Sequence, residues 1–152
     1  MLFRSVIENI VFEIEKRSLA SRTVLHSFDW ELLEECNRLA PNMPRSYLSQ
    51  LPESSDDPFD RPPEELSPDF SSLTGSIPEA IQVAGGHLWC PYFKDLTSEL
   101  LNEAHALGLI VCTWTVNEIE NIENMIDIGV DGIVTDYPDR VQGVLRSRGM
   151  RG

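Results

Sequence analysis

The stretch that most constrains the fold is Leu109 to Pro138, LIVCTWTVNEIENIENMIDIGVDGIVTDYP. Leu109 to Val116 is a dense run of β-branched and aromatic residues, long enough for one buried strand. Asn117 then offers a side-chain oxygen to cap a helix, and Glu120 stands where it can complete a capping box. Ile119, Ile122, Met125 and Ile126 fall at helical spacing on one face. Gly129 suits a left-handed C-terminal cap. Gly132 to Thr135 starts a second short strand, stopped by Asp136-Tyr137-Pro138. Two strands joined by a helical crossover run parallel, with a right-handed connection. Strands this apolar are expected to be buried on both faces.

The same unit recurs upstream. Phe3 to Arg17 is expected to form an amphipathic helix, with Phe3, Ile7, Ile10, Val11 and Ile14 on one side. Thr23 to Phe28 reads as a strand. Asp29 can cap the next helix, whose buried face is Leu32, Leu33, Cys36, Leu39 and Ala40, and Pro41 ends it. Arg45 to Ser49 is a shorter, weaker strand. Residues 50–76 differ in kind: PESSDDPFDRPPEELSPDFSSL is rich in Pro, Ser, Asp and Glu. A long polar loop is expected there, as a plain insertion or as a lid. Ser76, Pro78 and Glu79 start a short helix with a capping box, which ends at Ala84 before Gly85-Gly86. His87 to Tyr92 is a strand, and Thr97 to Leu107 a helix closed by Gly108. A last helix follows Asp139. Strand alternates with helix throughout. The fold class is therefore α/β, parallel strands with helical crossovers, in one domain over residues 1–152.

Lys and Arg number 12 and Asp and Glu 25, a net charge of −13. That balance argues against nucleic acid and against an anionic membrane surface as partners. No run reaches the ~18 apolar residues that span a bilayer. The N-terminus mixes charge among its apolar residues too early for a signal peptide. Cys36, Cys90 and Cys112 lack metal-type spacing and read as buried free thiols of a reducing compartment. A cytoplasmic location is the expectation.

WTVN, the acidic amphipathic helix and GVDGIVTDYPDR together resemble the end of the glycerophosphodiester phosphodiesterases. VLHSFDWELLEECNRLAP resembles a strand and helix of the same family, with its Ser-Phe step. GGHLWCPYFKDLTSELLNEAHALGL fits between those points. The resemblance runs from Thr23 to Val144. It implies the C-terminal half of a (β/α)8 TIM-type barrel, the phospholipase C-like phosphodiesterase fold, covering roughly strands five to eight.

The resemblance also implies hydrolysis of glycerophosphodiesters, derived from phospholipids, to an alcohol and glycerol 3-phosphate. Such enzymes use two histidines for acid/base work and a carboxylate-bound divalent metal, Mg2+ or Ca2+. The family holds these groups in a His-Arg-Gly turn, a Glu-x-Asp pair and a His-Asp step of its first half. None of the three motifs is in this sequence. Glu15-Lys16 looks superficially like the family's Glu-x-Lys pair, but it falls on a helix and too close to Ser27. No catalytic residue or metal ligand is therefore carried over. The chain is expected to be inactive alone and active with a complementary N-terminal half. A half barrel also leaves open strand edges that invite self-association. Met1 at a helix start fits a split gene, an internal start or a fragment.

In such a barrel the ligand lies at the carboxyl ends of the strands. Those ends are Ser27-Phe28, Ser49-Gln50, Trp89 to Tyr92, Trp114 to Asn117 and Thr135-Asp136. From the residues alone, Trp114 is either core packing or a wall, its N–H near solvent, for a small polar ligand. The resemblance selects the wall, because Trp114 matches the tryptophan of the family's WTVN motif. Ser27, Phe28 and Trp89 are carried over as further wall, and Asn117 and Asp136 as wall or support. Asp136 also fits a turn role before Pro138. Trp30 reads as packing, and His26, His87 and His105 as structural or solvated. The alternative function is a non-catalytic, barrel-derived binding or scaffold protein acting through its open sheet edges.

Overall fold

The computed structural model describes residues 2–54 and 69–151. Residues 55–68 of the expected polar loop, and the Phe3 side chain, lie outside the described residues. Five strands alternate with helices. They are β1 (Leu25–Ser27), β2 (Arg45–Ser49), β3 (Leu88–Pro91), β4 (Ile110–Thr113) and β5 (Gly132–Ile133). The helices are α1 (Leu2–Lys16), α2 (Trp30–Leu39), α3 (Ile77–Val83), α4 (Ser98–Ala106), α5 (Ile119–Ile128) and α6 (Pro138–Ser147). Among the described residues, no helix is long and apolar enough to cross a membrane.

Local chemistry sets most of these boundaries. Asp29 accepts a hydrogen bond from the Leu32 N–H at 2.9 Å and starts α2. Ser76 and Glu79 form a reciprocal capping box that starts α3. Gly129 takes the left-handed conformation, φ +94°, that ends α5 and turns the chain into β5. One expected cap is not made. The residue before α5 is Glu118, which makes no side-chain cap, and Asn117 bonds across the sheet instead. Ile119, the first residue of α5, is 52% exposed, while Ile122 and Met125 are buried.

All neighbouring strands pair in parallel, in the order β1-β2-β3-β4-β5. Among the described residues five strands thus pair, where the resemblance led to roughly four. The segment read as the weak strand, β2, is buried at every residue. The register places Tyr47 beside Trp89 and Trp89 beside Val111. In-register neighbours on parallel strands share a face. These three pack with Leu33 of α2, Ile81 of α3, Leu101 of α4 and Ile122 of α5 in the main core. All four crossover helices therefore cover one side of the sheet, as right-handed connections require. A smaller cluster joins Ile7 and Val11 of α1 to Cys36, Ala40 and Met43.

The opposite face carries His26, Ser46, Leu48, Leu88, Cys90, Ile110 and Cys112 by alternation. Among the described residues, the four crossover helices all put their core residues on the other face. Val24 and Ile110 remain 47% and 48% exposed, and Val134 beyond β5 is 46% exposed. Burial on both faces, expected of β4 and β5, is therefore incomplete, with Ile110 exposed and Cys112 half-buried, whereas Ser46 and Leu48 of β2 and Cys90 of β3 are buried on this face. The physical reason is closure: this face becomes the interior only when about eight strands complete a barrel.

The amino ends of the strands are tied separately. Asp131 accepts from the Val111 N–H at 2.8 Å and pairs with His105 Nε2 at 2.9 Å. His87 is exposed at the same end. Within residues 50–76, a 3-10 turn at Phe70–Ser72 brings Phe70 edge-on to Trp30 at 5.6 Å.

Candidate functional site

The carboxyl ends of the strands form an aromatic rim. Tyr92 and Trp114 sit one step past β3 and β4 and continue the parallel pairing as an isolated bridge. Their ring centroids are 5.2 Å apart, and Phe28, just past β1, meets Trp114 edge-on at 5.4 Å. Phe93 packs against Tyr92 at 5.0 Å. The Lys94 ammonium stands 5.9 Å from the Tyr92 and Phe93 ring centres, within cation–π range.

Trp114 is half-buried, but its indole N–H does not face solvent. It donates to the Cys90 carbonyl at 2.9 Å, which pins the ring across the ends of β3 and β4. The expected free N–H is therefore spent, and the ring surface is what Trp114 offers.

Asn117 is a clamp. Its Nδ2 donates to Asp136 at 2.8 Å, and its Oδ1 accepts from the Asp136 N–H and the Thr135 hydroxyl. The Asn117 carbonyl accepts from Arg140 of α6 at 2.7 Å. That guanidinium also stacks 4.1 Å from the Tyr137 ring centre. The ends of β4 and β5 are thus locked together without a regular ladder. Tyr92, Trp114, Thr115, Asn117 and Asp136 line one cleft at this point.

The structure separates the residues that the sequence grouped. Phe28, Trp114, Asn117 and Asp136 come together at the rim. Trp89 does not. It is 1% exposed on the helix side of the sheet, and its N–H donates to Ser49 at 2.8 Å. Ser27 accepts from the Asp29 N–H at 3.0 Å and serves the turn into α2. Trp30 packs edge-on against Tyr47 and donates to the Leu48 carbonyl.

Sequence reasoning did not single out Tyr92, because its place in the rim depends on pairing with Trp114, a partner distant in sequence. It also missed Asp95. That carboxylate accepts from the Leu51 N–H at 2.8 Å and joins the ends of β2 and β3. Burial pushes its pKa up, while the Leu51 and Ser54 hydrogen bonds pull the other way. Gln50, 3% exposed, has a buried amide with no hydrogen-bond partner among the described residues.

Burial disfavours the thiolate form of all three cysteines. Burial pushes Cys90 up to about 12, with Cys112 beside it adding to the shift. Burial also raises Cys112 and Cys36. The thiolate, not the thiol, is the reactive form. His26 bonds Ser46 at 2.9 Å, and burial lowers its pKa. Among the described residues, no three His, Cys, Asp or Glu side chains converge as a metal site.

A parallel sheet with helices on one side and an aromatic carboxyl rim defines part of a TIM-barrel-like α/β fold. The chain matches the Glycerophosphoryl diester phosphodiesterase family over residues 2–140 and belongs to that family. It is 24% identical over 149 residues to the glycerophosphodiester phosphodiesterase of Caldanaerobacter subterraneus subsp. tengcongensis, covering 98% of this chain and 53% of that protein. A solved structure from Silicibacter pomeroyi DSS-3, assigned to the same enzyme family, superposes with TM-score 0.86 at 50% identity, covering 97% of this chain and 46% of that one. An Oleispira antarctica phosphodiesterase, solved with the product sn-glycerol-3-phosphate, shares the fold at TM-score 0.72 and 16% identity, covering 95% and 51%. The chain thus spans about half the length of these proteins.

Proposed function

We propose that this chain supplies the ligand wall of a glycerophosphodiester phosphodiesterase. The reaction is hydrolysis of a glycerophosphodiester to an alcohol and glycerol 3-phosphate. The observation that carries the reading is the Phe28–Trp114–Tyr92 cluster, pinned by the Trp114–Cys90 bond at the carboxyl rim, where barrel folds bind ligands. Phe28, Tyr92 and Trp114 pack against the carbon skeleton of the ligand. Asn117 and Asp136 hold the ends of β4 and β5 in place around it. Trp89 and Ser27 support the rim from behind and do not touch the ligand. Lys94 puts a positive charge beside the wall of a chain whose net charge is −13, as a phosphodiester requires. The Oleispira antarctica structure, with sn-glycerol-3-phosphate bound, supports a ligand of this class.

The acid/base groups come from a complementary N-terminal half carrying the family's histidines, and the chain alone is inactive. A divalent metal, Mg2+ or Ca2+, supplies charge neutralisation in such chemistry. The described residues do not fit as its ligands, since no group of three potential ligands converges and Asp136 is bonded to Asn117. Its ligands therefore belong to the same complementary half.

Co-expression with a first-half fragment that carries a His-Arg-Gly turn and a Glu-x-Asp pair tests this. The complex is expected to hydrolyse glycerophosphocholine or glycerophosphoethanolamine. Trp114→Ala is expected to lower the rate about 100-fold through lost positioning. The exposed Val24, Ile110 and Val134 favour a second reading, a non-catalytic barrel-derived binding protein. A well-folded complex without hydrolysis supports that second reading and overturns the first.

A further inference from the structure

Cys90 and Cys112 lie on neighbouring strands. The parallel pairs Trp89 with Val111 and Tyr92 with Trp114 bracket them. The two cysteines therefore stand side by side, one step below the aromatic rim, on the face opposite the crossover helices. Neighbouring strands run about 4.8 Å apart, inside the roughly 4.4–6.8 Å between Cα atoms that a disulfide spans. Cys90 is 2% exposed and Cys112 half-buried, so an oxidant meets Cys112 first. The Cys112 sulfur stands over Gly132, where an added Cβ would meet it at 2.7 Å. Turning that sulfur toward Cys90 takes a rotation about χ1, and strands populate two χ1 wells. Cys36 is apart from the pair, packed against α1 in the smaller cluster.

The backbone links the pair to the rim. The Cys90 carbonyl accepts the Trp114 indole N–H at 2.9 Å, and Cys112 precedes Trp114 by two residues. A disulfide draws its Cβ atoms to about 3.8 Å, closer than the strand spacing, and so shifts β3 against β4 where Trp114 is pinned. We infer that Cys90 and Cys112 form a reversible disulfide under a small peroxide oxidant, and that the bridge displaces the Trp114 ring. The Cys112 thiolate attacks hydrogen peroxide, the O–O bond breaks, and hydroxide leaves and takes up the thiol's proton. Cys112 is then a sulfenic acid. The Cys90 sulfur attacks the Cys112 sulfur, the S–O bond breaks, and water leaves with the Cys90 proton. Two thiols and one peroxide give one disulfide and two waters. A tripeptide disulfide such as oxidised glutathione does not reach a thiol this buried, and a chain of net charge −13 repels that anion. Burial disfavours both thiolates, so the reaction is slow at neutral pH. The inference stands independently of the proposed function.

The test treats the full chain with hydrogen peroxide, blocks the remaining thiols by alkylation, and maps the proteolytic peptides by mass spectrometry. Circular dichroism before and after treatment checks that the chain stays folded. Two of the three thiols should be lost, as a Cys90–Cys112 peptide pair lighter by two hydrogens, with Cys36 alkylated. In NMR the Trp114 indole N–H resonance, assigned with Trp114→Phe, should move on oxidation while that of Trp30 stays. Dithiothreitol should return it. Cys90→Ser and Cys112→Ser should each abolish the bridge and the shift, and Cys36→Ser should change neither. Cys112→Ser, at the less buried position, carries this control if Cys90→Ser does not fold. No bridge in the folded chain, a bridge that includes Cys36, Cys112 carried on to a sulfinic acid without a bridge, or a bridge that leaves the Trp114 resonance in place each overturns the inference.

Discussion

Replacing Trp89 with alanine is expected to lower the free energy of unfolding by about 4 kcal/mol, the upper range for removing a large aromatic from a core. The indole is 1% exposed and packs among residues of the main core on the helix side of the sheet. Its loss also leaves the Ser49 hydroxyl without the N–H it accepts from. Trp89→Phe keeps most of the packing and should cost roughly half as much. Trp114→Ala removes a half-buried ring, so its effect on stability should be smaller, about 1–2 kcal/mol, while ligand binding is lost. Urea unfolding of the three variants separates the two roles. If Trp89→Ala costs under about 1 kcal/mol, the burial that takes Trp89 out of the ligand wall is wrong.

The second large effect is expected at Arg45. This side chain is 2% exposed on β2 and donates to three neutral acceptors: Asn37 at 2.5 Å, the Gly85 carbonyl at 2.7 Å and the Tyr47 hydroxyl at 3.4 Å. It thereby ties α2 and the turn after α3 to the middle of the sheet. Arg45→Ala strands those acceptors and opens a cavity, at a cost of about 3 kcal/mol. Arg45→Met keeps the apolar stem and much of the volume, and should recover roughly half of the loss. Thermal unfolding provides the check, with about 2–4 °C expected per kcal/mol in a chain of this size. Equal stability of Arg45→Ala and the parent would contradict the buried role.

Both residues show where a sequence stops being legible. The caps at Asp29, Ser76 and Gly129 were readable because each is a local contact, complete within a few residues. The order of strands and helices was readable for the same reason. Which face a strand residue takes was not. Trp89 and Trp114 are both tryptophans near strand ends, but register sends one to the core and the other to the rim. β2 read as a short, weaker strand, and only the fold reveals that distant backbone and side-chain groups satisfy Arg45. Asn117 read as a helix cap because its partner, Asp136, lies past the end of the next strand and outside any local window. The one-sided sheet was equally hidden, because apolar alternation cannot say whether a face is closed by other strands.

The most direct test of the account is a crystal structure of the full chain grown with glycerophosphocholine. The account predicts ligand density at the carboxyl rim, in van der Waals contact with the rings of Tyr92 and Trp114 and beside the Asp136 carboxylate. Density instead in the cleft on the helix side, among Trp30, Glu34, Glu79 and Leu107, with Trp114 untouched, would contradict it.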